Sequence, residues 1–142
     1  MAMSTKASED QMPEIDVSAG VIFCSGKLLI TQRPEGTHLE GLWEFPGGKR
    51  LTNESWENCL HRELREELGI EVEIVGLMHS IQHAYPEKLV TLKFFKCLWK
   101  ANEPQAIECA DYAWTTLDEL NNYQFPAADE ALLASLSKEW IH

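Results

Sequence analysis

Three glutamates, Glu63, Glu66 and Glu67, stand close together in the run 48–70, GKRLTNESWENCLHRELREELGI. At about 100° per residue they share an arc of roughly 100° on an α-helix. Carboxylates held so close raise one another's pKa unless a cation compensates. Hard oxygen donors at this density suit Mg²⁺, or Mn²⁺ in its place, both of which bind carboxylates together with substrate phosphates. The cluster follows Pro46-Gly47-Gly48, where backbone without side chains lets a ligand approach closely. A loop, a helix and an acidic nest together point to metal-assisted chemistry on a polyphosphate. The competing reading is a solvated helix face on which Arg62 and Arg65 make ordinary surface pairs, for instance Arg62 with Glu66.

The elements that must position these residues are legible around them. Trp56, Leu60, Leu64 and Leu68 recur every four residues and predict the buried stripe of a helix from about Glu54 to Leu68. Asn53 is the expected cap, Glu54 and Glu57 favour the positive end, and Gly69 is the stop. Ahead of it, Val17–Cys24, the turn Ser25-Gly26 and Lys27–Gln32 predict a hairpin, and residues 34–45 a loop. Behind it, Glu71–Leu77 reads as a strand and Leu89–Trp99 as a long strand, apolar on both faces and therefore central. A short strand is expected over Tyr112–Thr115, a capping box at Thr116-x-x-Glu119, and a final helix over Asp129–Trp140 that buries Leu132, Leu133, Leu136 and Trp140. Strands interspersed with helices predict an α/β or α+β arrangement with helices covering a sheet.

Composition limits the function. With 142 residues, 44% of them hydrophobic, the chain suits a flexible leader over 1–14 and a single domain over 15–142. The four cysteines, Cys24, Cys59, Cys97 and Cys109, form no C-x-x-C pair and read as small residues in a reducing compartment. The polar start, lacking an apolar signal region, and the absence of any run near the roughly 20 apolar residues of a membrane span predict a soluble, cytoplasmic protein. The net charge of −11 argues against duplex nucleic acid as a partner. An anionic small molecule then needs a bound cation to reverse the local field.

Nine positions lift the acidic helix out of the ordinary. Gly48, Glu54, Arg62, Glu63, Leu64, Glu66, Glu67, Gly69 and Ile70 match, without gap or substitution, the pattern Gly-x5-Glu-x7-Arg-Glu-apolar-x-Glu-Glu-x-Gly-apolar. This resembles the box of the Nudix hydrolases, and the likeness runs from about Val17 to Leu136. The resemblance implies the family's α/β/α sandwich around a mixed sheet. It implies that Glu63, Glu66 and Glu67, with the Gly48 carbonyl, coordinate catalytic Mg²⁺. Arg62 would orient Glu63, Glu54 would brace Arg62, and Lys49 would contact the phosphates. The implied reaction is attack of water on phosphorus, giving a nucleoside monophosphate and pyrophosphate. The proton acceptor stays open between Glu66 or Glu67 and Glu108, which lies where many relatives carry a loop acid. The pattern with an acid directly before the later Trp is not met, since Ala113 precedes Trp114.

Leu42-Trp43-Glu44-Phe45-Pro46-Gly47-Gly48-Lys49, preceded by Gln32-Arg33-Pro34, is similar to the MutT-type branch, whose members hydrolyse 8-oxo-dGTP and related nucleotides. That implies Arg33 and Glu44 among the substrate contacts, with His38 either at phosphate or ribose or merely on the surface. Phe125-Pro126-Ala127-Ala128-Asp129 resembles the segment closing the base pocket, where the MutT-type enzyme has Asn instead of Asp129. An ionised Asp only accepts hydrogen bonds, as from cytosine N4 or guanine N2; protonated by burial it also donates. Asp129 reads equally as the cap of the last helix. Phe94, Phe125 and Leu92 are candidates to pack the base or to be core. The expected activity is therefore 8-oxo-dGTP diphosphatase, with a CTP or modified-dCTP pyrophosphohydrolase second. An RNA 5′-pyrophosphohydrolase would need a basic groove from Lys88, Lys93, Lys96 and Lys100. From other classes, a nucleotide-binding module without catalysis and a purely structural acidic domain compete, and the protein is expected as monomer or homodimer.

Overall fold

Strand β1 (Glu14–Cys24) turns at Ser25-Gly26, both at positive φ (51° and 78°), into β2 (Lys27–Gln32). Positive φ at both turn residues matches the twist of a tight hairpin. Side chains alternate across this hairpin and separate two cores. Ile22 and Leu29 face one way, with Leu60, Leu64, Leu68, Phe95 and Cys97. Val21, Leu28 and Ile30 face the other, with Phe94, Leu120, Leu132 and Leu136. The computed structural model describes residues 12–140, with side chains described through 136.

The two hairpin strands pair only near the turn, where Ile22–Cys24 meet Lys27–Leu29. Beyond it they splay, and the segment after the loop fills the split. β3 (Trp43–Glu44) pairs with Thr31 and Gln32, while β4 (Gly47–Lys49) pairs with Val17–Ala19. Between them the Gly20 amide donates to the Pro46 carbonyl at 2.8 Å, which fixes the Pro-Gly-Gly turn onto β1. β5 (Glu71–Tyr85) pairs antiparallel with β6 (Lys88–Ala101), which runs parallel to β1 on its other edge, and β7 (Asp111–Thr115) pairs with β2. The seven strands form one mixed sheet. Helix α1 (Trp56–Leu68) covers one face and α2 (Glu130–Trp140) the other. This is the expected α/β/α sandwich, with β6 internal as its apolar sequence requires.

Several boundaries move for physical reasons. Helix α1 starts two residues late, capped by Ser55, whose Oγ accepts the Asn58 amide at 3.0 Å; Asn53 instead sits at φ 68° in the preceding turn. Glu54 is thereby left outside the helix. Gly69 ends it at φ 71°, donating to Arg65. β5 runs eight residues beyond Leu77 because the ladder to β6 continues through bulges, carrying the polar stretch to Tyr85. The capping box at Thr116 and Glu119 forms, at 3.3 and 3.5 Å, but leads into a 3₁₀ turn over Leu120–Asn122. A second 3₁₀ turn over Ala127–Asp129 precedes α2. Of the expected leader, residues 1–11 lie outside the described residues, Glu14 already belongs to β1, and the Pro13 carbonyl accepts the Leu89 amide. The Trp140 side chain is likewise outside the described set. All four cysteines are free, three of them buried. No helix among the described residues is long and apolar enough to cross a membrane.

Candidate active site

Arg62 organises the exposed side of α1. Its Nε and Nη2 donate to the two Glu54 carboxylate oxygens at 2.7 and 3.0 Å, and Nη1 reaches Glu63 at 2.8 Å and Glu66 at 3.2 Å. Nη2 also donates to the Lys49 carbonyl at 2.9 Å. Such a forked, charge-assisted contact fixes geometry as well as charge. The Arg62 fork, helped by the Leu51 amide, holds the Glu54 carboxyl down to about 2. Glu54 can play this part only because the helix begins after it.

Glu67 has far less compensation. Glu67 is 8% exposed and accepts the Gly47 amide at 3.2 Å. Burial first, then the charge of Glu44, pushes its pKa up to about 8, against the Gly47 hydrogen bond; Glu63 and Glu108 add to the repulsion. Glu63 is raised by burial, opposed by Arg62. Glu66 is the outermost, its side chain 49% exposed. Glu108 arrives through the backbone: the amides of Ile107 and Glu108 both donate to the Glu67 carbonyl, at 3.1 and 3.3 Å. Its charge reaches both Glu63 and Glu67. Gly48 lies against Glu63 so closely that an added Cβ would overlap the glutamate's carboxyl group.

Among the described residues, no three acidic, His or Cys side chains already enclose a common point. The donor set nevertheless suits a hard divalent cation. Glu54, Glu63 and Glu66 share one arginine, Glu67 beside them is buried and pushed toward neutrality, and Gly48 brings backbone against Glu63.

Beside this face a cavity opens between β1, β6 and the segments 33–49 and 126–129. Phe45 and Phe94, rings 5.8 Å apart and edge to face, form its apolar floor with Leu92 and Ala19. Arg33 lies 3.6 Å from Glu44 and donates from Nε to the His38 carbonyl at 3.0 Å, tying the loop to the wall. Glu44 is raised by burial despite Arg33. Asp129 is 6% exposed in the same wall, with no hydrogen bond or ion pair to its carboxylate among the described residues. Burial, then Glu44, lifts it to about 7.

Gly48, Lys49, Arg33, His38, Glu44, Phe94 and Asp129 thus line one cavity. Phe125 does not; it stacks behind Phe45 at 5.3 Å. Two further groups line the cavity that the sequence does not place there, Lys88 being read only as part of a basic groove. Tyr85 and Lys88, at the tip of the β5–β6 hairpin, cross the mouth, where Tyr85 meets the His38 ring edge-on at 6.0 Å. Tyr85-Pro86-Glu87-Lys88 signals a turn, but nothing local says that the turn reaches the cavity. Phe45 was visible only as part of a motif.

Comparisons with known proteins agree with this geometry. A family model described as NUDIX domain matches residues 18–135. An 8-oxo-dGTP diphosphatase of Buchnera aphidicola subsp. Acyrthosiphon pisum is 39% identical over 116 residues, covering 81% of this chain and 90% of that protein. The CTP pyrophosphohydrolase of Escherichia coli K12 is 37% identical over 127 residues, covering 86% and 90%. The solution structure of the E. coli ORF135 protein superposes with a TM-score of 0.76 at 35% identity, covering 89% of this chain and 91% of that one.

Proposed function

The chain belongs to the Nudix hydrolase family, and from that premise we propose that it cleaves nucleoside triphosphates between the α- and β-phosphates, releasing a nucleoside monophosphate and pyrophosphate. The observation that carries this reading is that Glu63 and Glu67 feel each other's charge and that of Glu108, with Arg62 holding Glu63 and Glu66, next to a cavity with an aromatic floor. Mg²⁺, or Mn²⁺ in its place, held by Glu63, Glu66, Glu67 and the Gly48 carbonyl, supplies charge neutralisation at phosphate and acidifies water when bound. Arg62 keeps Glu63 and Glu66 aimed, and Lys49 and Arg33 offset phosphate charge. The water proton passes to a carboxylate of this face, either Glu67 or Glu66 on the helix or Glu108 on the loop. Comparing the pH profiles of Glu67→Gln, Glu66→Gln and Glu108→Gln assigns it.

For the base, Phe45 and Phe94 offer stacking surface, and Asp129 a buried carboxylate in the same wall. With a pKa near 7, Asp129 exists in both forms around neutrality, accepting from an amino group or donating to a carbonyl. This supports 8-oxo-dGTP as the first substrate and CTP or a modified dCTP as the second, in line with the names borne by the two relatives. An RNA 5′ end is disfavoured: Lys93 stacks on Trp56 and Lys96 on Phe23, side chains of opposite cores, so the lysines of β6 build no continuous groove. A binding module without catalysis is disfavoured because every box carboxylate is present. The proposed setting is the cytoplasm, where free thiols such as these stay reduced, with the protein as monomer or homodimer.

The deciding assay incubates purified protein with Mg²⁺ and a panel of ordinary and oxidised triphosphates, NDP-sugars, capped dinucleotides and triphosphorylated RNA. Metal-dependent pyrophosphate release from 8-oxo-dGTP or a cytosine triphosphate is expected. Release of orthophosphate alone, or no turnover of any triphosphate, overturns the proposal.

A further inference from the structure

Arg50 occupies one of the five positions that the box pattern leaves open between Gly48 and Glu54. Its contacts are nonetheless dense. Its amide donates to the Asp16 carbonyl at 2.8 Å, and its Nη2 and Nε donate to Asp16 Oδ2 at 2.6 and 3.2 Å. Its Nη1 donates to the Glu54 carbonyl at 2.9 Å. The guanidinium carbon lies 5.1 Å from the centre of the Trp56 ring, and Lys93 Nζ lies 4.3 Å from the same ring. One side chain therefore joins β1, the turn before α1, and the first helical residue, while β6 grips that residue as well.

We propose that Arg50, anchored by Asp16, is a positioning residue for the acidic face of α1. The chain of contacts is continuous. Arg50 pins the Glu54 main chain; Glu54 then folds back to accept the Leu51 amide at 3.0 Å and the Arg62 fork. Arg62 in turn holds Glu63, Glu66 and the Lys49 carbonyl. Without Arg50, the Glu54 main chain keeps only its amide bond to the Leu51 carbonyl, and the Arg62 fork that aims Glu63 and Glu66 loses its fixed partner. The Arg50–Asp16 side chains are 29% and 27% exposed, so solvent screens the pair and limits what it adds to global stability. Its consequence is local geometry. This inference rests on the hydrolase reading above for its kinetic arm only.

The test uses Arg50→Met, which keeps an apolar stem against Trp56 but removes the donors, and the milder Asp16→Asn. Three quantities are measured: kcat and KM for a hydrolysed triphosphate, Mn²⁺ affinity of the nucleotide-free protein by electron paramagnetic resonance, and the Arg62 Nε–Hε signal by NMR. Arg50→Met should lower kcat about tenfold with KM nearly unchanged, and weaken Mn²⁺ about tenfold, the low end for groups that orient metal ligands. The Arg62 signal should move or broaden, and Asp16→Asn should show the same changes in smaller measure. Thermal melting should barely shift. Unchanged Mn²⁺ affinity together with an unchanged Arg62 signal overturns the proposal, as does a loss confined to melting temperature. If the wild-type protein hydrolyses no triphosphate, the functional reading fails, while the Arg62 signal still decides the role of Arg50.

Discussion

Glu67→Gln should make the metal-free protein more stable and the enzyme inactive. Burial and neighbouring charge raise the Glu67 carboxyl group from 4.5 to about 8. The folded protein then keeps a proton that the unfolded chain releases as pH climbs through 4.5. Stability must fall between about pH 4.5 and 8, by up to ~1.4 kcal/mol per unit. At pH 7.5 the ceiling is ~4 kcal/mol, of which we expect ~1–2 kcal/mol to remain after local relaxation and water entry. Glutamine is nearly isosteric, keeps an oxygen for the Gly47 amide, and carries no charge to desolvate. In EDTA at pH 8 its melting temperature should exceed that of wild type by roughly 3–6 °C, at about 2–4 °C per kcal/mol for a domain of this size. At pH 5 the two should nearly coincide, because Glu67 is then protonated in the folded protein. Saturating Mg²⁺ should raise wild type but not the variant, and turnover should drop by a factor of about 100 or more. A variant that melts below wild type at pH 8, or that keeps its activity, refutes the electrostatic reasoning.

Other substitutions probe separate links. Glu63→Gln should cut turnover severely while circular dichroism and melting stay close to wild type, and Gly48→Ala should do the same by displacing the Glu63 carboxyl group; steady-state kinetics on both decide it. For wild type, the ratio of kcat/KM for CTP to that for 8-oxo-dGTP should change between pH 6 and 8 as Asp129 ionises near 7. In Asp129→Asn the ratio should differ and stay flat with pH, and identical ratios in both proteins would remove Asp129 from base recognition. Ser55→Ala should cost ~1 kcal/mol in urea denaturation as the cap is lost. Asn53→Gly should cost nothing, since φ 68° suits glycine.

The acidic helix was legible because its information is local. Three glutamates on one arc and a leucine stripe on another follow from helical geometry alone. The cap was misread since Asn53 and Ser55 are both good capping types; the choice between them depends on Glu54 reaching Arg62, a contact across eight residues. Strands of two and three residues such as β3 and β4 carry no periodicity, so the split hairpin that seats Gly48 leaves no local trace. Glu108 adjoins Glu67 through main-chain hydrogen bonds to a helix end forty-one residues earlier, a contact to which the family resemblance points and no local pattern does. Aromatic identity likewise does not tell which ring meets a cavity, and here Phe45 does while Phe125 stands behind it.

The central claim is that the glutamates of α1 hold a divalent cation against a triphosphate lying in the adjoining cavity. Crystals grown with Mn²⁺ and a non-hydrolysable nucleoside triphosphate test this through anomalous scattering. Manganese peaks bounded by Glu63, Glu66, Glu67 and the Gly48 carbonyl, touching phosphate oxygens, are the predicted result. Nucleotide bound with manganese elsewhere, or with these side chains turned into solvent, would contradict it.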